Sequence, residues 1–407
     1  MSKTFQLALL TFAFALSNAF RTVPTIAASG VAADLQAGPT GLALFGGAFH
    51  WGFALMQIPV GIALDMFGPR RTVITLSWAA VAGGIICTLA PNMTVLFLGQ
   101  ALVGIGCAPA LMAAMVFTSQ HWPVRSFAGI SGVVLAAGSG GMLLTGTPLA
   151  WLIAETSWRI GFAVLAGLTA ATTLVAIAVL ERSERAHSGH LLTALGAALR
   201  GLRLVLTGRR AWALLSLALV SYGAAITIRG LWLVPMFVDR HGLSLIAAGN
   251  VALAVSVAMI VAPALIGRVD PRESRRPAVI AGMAFALAAS IAALAFTGTL
   301  PLAVDVTLCL VFGFFSAYFV LAYAEVRGSY PPELTGRGLT AFNMGMFVGA
   351  ALAQSLSGPI GSAAQAFGFD AINAVLLFLA VTLALGTAGF AWLIRGTKPW
   401  SPDTKVS

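Results

Sequence analysis

The chain has 407 residues, 59% hydrophobic and 9% charged, with a mean hydropathy of +0.95 and a formal net charge of +10. No water-soluble domain of this length has that composition, so the sequence reads as an integral membrane protein. The positive excess does not point to nucleic acid: most of the basic residues sit in loops and tails between apolar runs, and the excess is topological.

Twelve apolar runs follow one another, each of about 20 residues, enough to cross a hydrocarbon core of roughly 30 Å as a helix. None has the alternation of a barrel strand. The fold class expected is an all-α membrane protein of twelve transmembrane helices.

The first helix is expected from about Phe5 to Ala33. Its start resembles a signal peptide, but the apolar stretch carries on past Arg21, which makes it the first membrane helix. Asn18, Arg21, Thr22, Thr25 and Ser29 follow helical spacing and form one polar stripe on an otherwise apolar helix. The second helix, from about Thr40 to Leu64, has His50 at its centre beside Trp51, with Gln57 two turns along the same face. Then comes Gly61-Ile-Ala-Leu-Asp65-Met-Phe-Gly68-Pro-Arg70-Arg71, a charged break in which glycine permits a tight reversal and Asp65 beside Arg70 and Arg71 suggests a latch at a membrane surface.

The third helix spans about Thr72 to Leu89 and the fourth about Val95 to Thr118, with Gln100 near the start of the latter. The fifth is dense in glycine (129, 132, 138, 140, 141 and 146), which permits close helix contact in lipid. The sixth ends near Leu180. Residues 181–210 form the one long polar interval, where Leu191, Leu195, Leu199, Leu202 and Leu206 recur among Arg200 and Arg203 as in a basic helix lying on a membrane surface.

The seventh helix, about Ala211 to Val238, carries Tyr222, Arg229, Trp232 and Met236 on one face. After the eighth, about Leu243 to Ile266, the charged break returns as Gly267-Arg-Val-Asp270-Pro-Arg272-Glu-Ser-Arg275-Arg276, about 205 residues after the first copy. The chain is an internal duplication. The ninth to twelfth helices cover about Ala278–Thr297, Ala303–Tyr323, Gly338–Gly358 and Ile372–Ile394, and Gly146-Thr-Pro148 in the fifth matches Gly358-Pro359 in the eleventh. The expected organisation is a first bundle at 1–180, a linker at 181–210, a second bundle at 211–394 and a tail at 395–407. Of the 23 Lys and Arg, 19 fall in one set of alternate loops and tails and only Arg159 and Arg240 in the other, so both termini are expected in the cytoplasm of a plasma-membrane protein.

The two charged breaks, with Gly61, Asp65, Gly68, Arg70 and Arg71 leading, resemble the signature of the major facilitator superfamily of secondary transporters. Met66 and Pro69 stand where basic residues are usual. Gln100-Ala-Leu-Val-Gly104-Ile-Gly106 is similar to the fourth-helix motif, with Gln100 in place of Arg, and Trp158-Arg159-Ile-Gly-Phe162 to the start of the sixth helix. The resemblance implies two pseudo-symmetric six-helix bundles, usually as a monomer, with the first and seventh helices lining a central cavity.

Arg21 and Arg229 lie deep in those two helices, 44 and 41 residues before Asp65 and Asp270. One Arg at mid-membrane is disfavoured by about 2.5–3.5 kcal/mol on insertion scales, so a matched pair needs a reason. By resemblance to the glycerol-3-phosphate transporter branch, the pair would bind a small organic anion, carboxylate or organophosphate, with Asn18, Thr22, Tyr222, Trp232 and Gln100 around it. The alternative is that each Arg bonds a carbonyl or carboxylate and locks helices together. Gln100 could equally tie the fourth helix to the fifth.

Arg does not titrate, so a proton-coupled carrier needs another group. His50 is suited to that role, and Glu325 is a second candidate that could instead form an inner gate with Arg327. Asp65, Asp270, Arg275 and Arg276 are expected to be conformational latches. The competing reading is a drug/proton antiporter exporting amphipathic compounds. Against it, the middles of the cavity helices carry no carboxylate, and Thr147 separates Gly146 from Pro148 where that class has adjacent Gly-Pro. No Gly-x-Ser-x-Gly or His-Glu-x-x-His motif supports an enzyme. His187 and His190 are two possible ligands without a third, and the three cysteines lie at no metal-ligand spacing, so no metal or cofactor is expected.

Overall fold

A uniformly apolar chain in lipid must satisfy its backbone within itself, which leaves the helix as the economical solution here. The computed structural model describes residues 2–181, 196, 200, 202–269, 271–297 and 300–397, and among these there is helix and no strand. The helices are α1 (Lys3–Leu35), α2 (Pro39–Leu55), α3 (Gln57–Thr88), α4 (Met93–Cys107), α5 (Ala110–His121), α6 (Val124–Ser139), α7 (Gly141–Leu144), α8 (Thr147–Glu155) and α9 (Trp158–Val179). After them come α10 (Arg209–Thr227), α11 (Leu233–His241), α12 (Leu245–Ile266), α13 (Arg276–Leu294), α14 (Leu302–Phe315), α15 (Phe319–Arg327), α16 (Pro332–Ala366) and α17 (Ala371–Ile394). The linker leucines 191, 195 and 199 and Asp270 lie outside the described residues.

Among the described residues, eleven stretches are long and apolar enough to cross a membrane, and the predicted second helix is present in a less regular form. It breaks at Met56, between α2 and α3, and then runs on to Gly68, whose φ of 75° and ψ of 172° turn the chain between the second and third spans. Gly68 is the glycine of that turn that the backbone requires. At Gly61 an added Cβ would meet nothing, so close approach there is not what its glycine provides. The predicted fourth helix is interrupted at Ala108-Pro109, and the tenth by a 3₁₀ turn at Ser316–Tyr318.

The exterior inverts the rule for soluble proteins: Leu89 (72% exposed), Leu385 and Trp392 point outward, while Asn18, Arg21, Thr22, Gln100 and Arg229 are buried. By packing, the chain divides into two compact units. The first holds residues 1–195 and 229–253, the second 196–228 and 254–407. The division therefore falls inside the predicted seventh helix rather than in the 181–210 linker, where α10 gives way to a π-helical turn over Ile228–Trp232.

Both units are built on one device. A Cβ on Gly141 would overlap the Ala15 carbonyl, so α7 crosses α1 backbone to backbone; a Cβ on Gly349 would overlap the Leu219 carbonyl, so α16 does the same on α10.

Candidate functional site

The polar stripe of α1 is buried within the first unit from Asn18 to Thr25, with Ser29 exposed, and meets the fifth span at its weakest point. That span is not one helix: α7 ends at Thr145, Gly146 leaves helical geometry (φ −88°, ψ −131°), and α8 restarts at Thr147 with Pro148 in its first turn. A broken helix leaves carbonyls without their usual N–H donors, and in lipid these need side chains. Two of the predicted binding residues supply them. Asn18 Nδ2 donates to Gly138 O and to Phe14 O, both at 3.2 Å, and Arg229 Nη2 donates to Met142 O at 3.0 Å and to Thr145 Oγ1 at 3.4 Å.

Thr145 is the hub. Its hydroxyl donates to Met142 O at 3.0 Å and lies 2.6 Å from the Thr22 hydroxyl, which also reaches Asn18 O at 2.9 Å. Arg21 Nη1 donates to Asn18 Oδ1 at 3.2 Å, and its guanidinium carbon lies 5.5 and 5.2 Å from the ring centroids of Phe49 and Phe53 on α2. A cation over aromatic faces is attracted by the negative charge of the rings' π-faces. A continuous polar path thus joins the two arginines: Arg21, Asn18, Thr22, Thr145, Arg229. Arg21 is 6% exposed and Arg229 fully buried.

One π-helical turn carries an extra residue and shifts the helical phase beyond it, so the α-spacing that put Trp232 and Met236 on the face of Arg229 does not run through. Tyr222 belongs to the second unit, its ring 5.4 Å from that of Phe347, whereas Arg229, Trp232 and Met236 belong to the first. The irregularity is stitched by side chains: Val234 N donates to Thr25 Oγ1 at 3.4 Å, and Gln354 Nε2 to Ile226 O at 3.4 Å. Trp232 is buried at the start of α11.

Gln100 is fully buried and donates to Phe20 O at 3.1 Å, so it ties α4 to α1 beside Arg21, rather than to the fifth span. His50 is fully buried, edge-on to the Phe49 ring whose far neighbour is Arg21.

The latch residues differ from the sequence expectation. Asp65 is exposed and, among the described residues, forms no ion pair; Arg70 Nη2 instead donates to Ile177 O at 2.6 Å, where a cation meets the carbonyl end of α9. Arg71 and Arg275 are exposed. Arg276 is buried, and its Nη1 lies 3.8 Å from Glu325 Oε2. Glu325 also pairs with Arg210, whose guanidinium bonds Ser329 Oγ at 2.7 Å and Thr397 Oγ1 at 3.2 Å. Glu325 therefore sits between Arg210 and Arg276, not with its near neighbour Arg327.

The helical fold is shared with solved membrane transporters. A bacterial homologue of the human lysosomal transporter Spinster matches with a TM-score of 0.77 at 16% identity over 98% of this chain and 99% of that one. A D-xylose–proton symporter matches at 0.76 and 15% over 94% and 97%. At such identities the likeness is one of fold.

The Major Facilitator Superfamily model matches residues 7–354, and the chain belongs to that family, a multi-pass membrane protein whose solved neighbours are transporters, not enzymes. Among its relatives are the uncharacterized transporter YybO of Bacillus subtilis, 23% identical over 56% of either chain, and the probable sulfoacetate transporter SauU of Cupriavidus necator, 26% identical over 36% of this chain and 34% of that one. A quinolone resistance transporter of Acinetobacter baumannii is 28% identical over 30% of this chain and 28% of that one. The chain thus spans about half or less of these relatives.

Proposed function

We propose that this protein is a secondary active transporter that moves a small organic anion, a carboxylate, sulfonate or organophosphate, across the plasma membrane by alternating access, as a monomer with both termini in the cytoplasm. The observation that carries this is the polar path joining Arg21 and Arg229 through Asn18, Thr22 and Thr145. Both guanidiniums donate to neutral oxygens along it, and an anion accepting from a guanidinium makes a bond roughly twice as strong as a neutral acceptor does. The resemblance to a probable sulfoacetate transporter supports the same class. His50 is the group proposed to couple transport to protons, since Glu325 is engaged by two guanidiniums and fits a latch better than a proton site.

The test is a thermal-shift screen of the purified protein against acetate, sulfoacetate, glycerol phosphate, inorganic phosphate and lipophilic cations. Stabilisation by one or more of the anions, lost in Arg21→Ala, is expected. Stabilisation by the cations alone would favour export of amphipathic drugs, the second reading, which rests on the similarity to the quinolone resistance transporter.

A further inference from the structure

The side chains that tie the broken fifth span belong to the site itself. We infer that Met142 O and the Thr145 hydroxyl are internal stand-ins for the substrate anion at Arg229, and that an arriving anion displaces them and frees the turn over 140–147. Thr145 is then a positioning residue of the anion site. The inference rests on the anion reading above.

Four observations within the first unit lead to it. The turn is intrinsically weak: α7 is four residues long and begins on Gly141, Gly140 and Gly146 flank it, and Pro148 has no N–H with which to close it. Within it Met142 O is held from outside by Arg229, and just before it Gly138 O is held by Asn18. Both of those side chains are candidates for gripping the substrate. Finally, the Thr145 hydroxyl bridges the arginine on one side to Thr22, and so to the Arg21 end of the path, on the other.

The chemistry sets the direction. Met142 O and Thr145 Oγ1 are neutral acceptors, and a carboxylate, sulfonate or phosphate oxygen is a stronger partner for a guanidinium. A ligand shifts a conformational equilibrium only by its difference in affinity for the two states. Here the difference is built in: the state with Arg229 bound to Met142 O is the one in which Arg229 is less available to the anion. Substrate occupancy and loosening of the fifth span are therefore the same event. The segment has room to respond on its far side only as a hinge, because the Gly141 crossing pins its other end to the backbone of α1.

The experiment is hydrogen–deuterium exchange over 140–147 in the full-length protein in detergent. Without anion, Arg229→Gln is expected to raise exchange there about tenfold, the effect of removing a charged hydrogen bond of roughly 1.5 kcal/mol. Thr145→Val, which keeps the shape and removes the hydroxyl, is expected to raise it less, and Thr145→Ser to leave it at the wild-type level. In the wild type, an anion from the panel acetate, sulfate and inorganic phosphate that stabilises the protein against heat should raise exchange over 140–147, with chloride at equal ionic strength as control. The same anion should add nothing in Arg229→Gln. For that anion, Thr145→Val should lower the apparent Kd about threefold, because a competing acceptor is gone.

Unchanged exchange in both Arg229→Gln and Thr145→Val would overturn the inference while leaving anion binding standing. Loosening in the variants with no anion releasing the turn would overturn the release step, and absence of any anion stabilisation in the same samples would also sink the anion reading. Weaker anion binding in Thr145→Val would assign Thr145 to scaffolding alone.

Discussion

The fifth span of the first unit and α16 of the second are repeat partners, and they begin alike. Each crosses its neighbour on a glycine that lies against a carbonyl, Gly141 on Ala15 and Gly349 on Leu219. From there they part. The fifth span breaks into α6, α7 and α8, and its loose carbonyls are held by Asn18 and Arg229, whereas α16 runs as 35 residues straight through Pro359. The ends of the units differ in the same sense: in the second, Glu325 is buried between Arg210 and Arg276, while in the first the Lys3–Glu181 pair lies half in solvent. The duplication has kept the crossings, while the span is broken in the first unit and continuous in the second.

This contrast can be broken in the second unit first. Glu325→Ala leaves the buried Arg276 and the half-buried Arg210 guanidiniums without their carboxylate, and removal of one partner of a buried pair is expected to lose about 3–5 kcal/mol, read as a large fall in thermal stability of the purified protein. A tolerated substitution would show that the second unit is not held by that cluster. Next come the crossings. Gly141→Val and Gly349→Val each drive a side chain into a backbone carbonyl and should lose about 1–3 kcal/mol or more, by similar amounts, since the device is the same. A variant that folds normally at one site and fails at the other would end the claim of a shared crossing.

The smallest effect is at the open end of the first unit. The Lys3 ammonium and then the Gln6 amide hydrogen-bond the Glu181 carboxylate and hold its pKa below the ordinary 4.5. A depressed carboxylate contributes stability above its ordinary value, and that contribution is lost as pH falls from about 4.5 through the lowered value. Lys3→Ala should therefore leave stability at neutral pH nearly unchanged, as exposed pairs do. It should also flatten whatever acid dependence the pair confers, which thermal melts between pH 3 and pH 7 would show.

Much of the frame was legible in the sequence, because apolar runs and their charged breaks follow from what lipid demands of a chain. Arg21 and Arg229 were legible for the same reason: a cation in an apolar run is conspicuous. Their partners were not. Thr145 sits in a glycine-rich stretch where threonine is unremarkable, and nothing local says that the helix breaks there rather than at Gly129 or Gly132. Phe49 and Phe53 recur at i and i+4, but so do many apolar pairs in a membrane helix, and the cation over their rings comes from another helix. Arg327 was the natural partner for Glu325 by proximity, yet Arg210 reaches it from 115 residues away. The π turn, which shifts the helical phase between Arg229 and Met236, leaves no signature in residue type.

What remains is whether the arginine path carries cargo. In proteoliposomes, counterflow of an anion from the thermal-shift screen should be abolished in Arg21→Lys and in Arg229→Lys, both of which keep the charge and lose the planar fork, while both proteins still insert and elute as the wild type does. Wild-type counterflow in either variant would contradict the assignment of these two residues to the substrate.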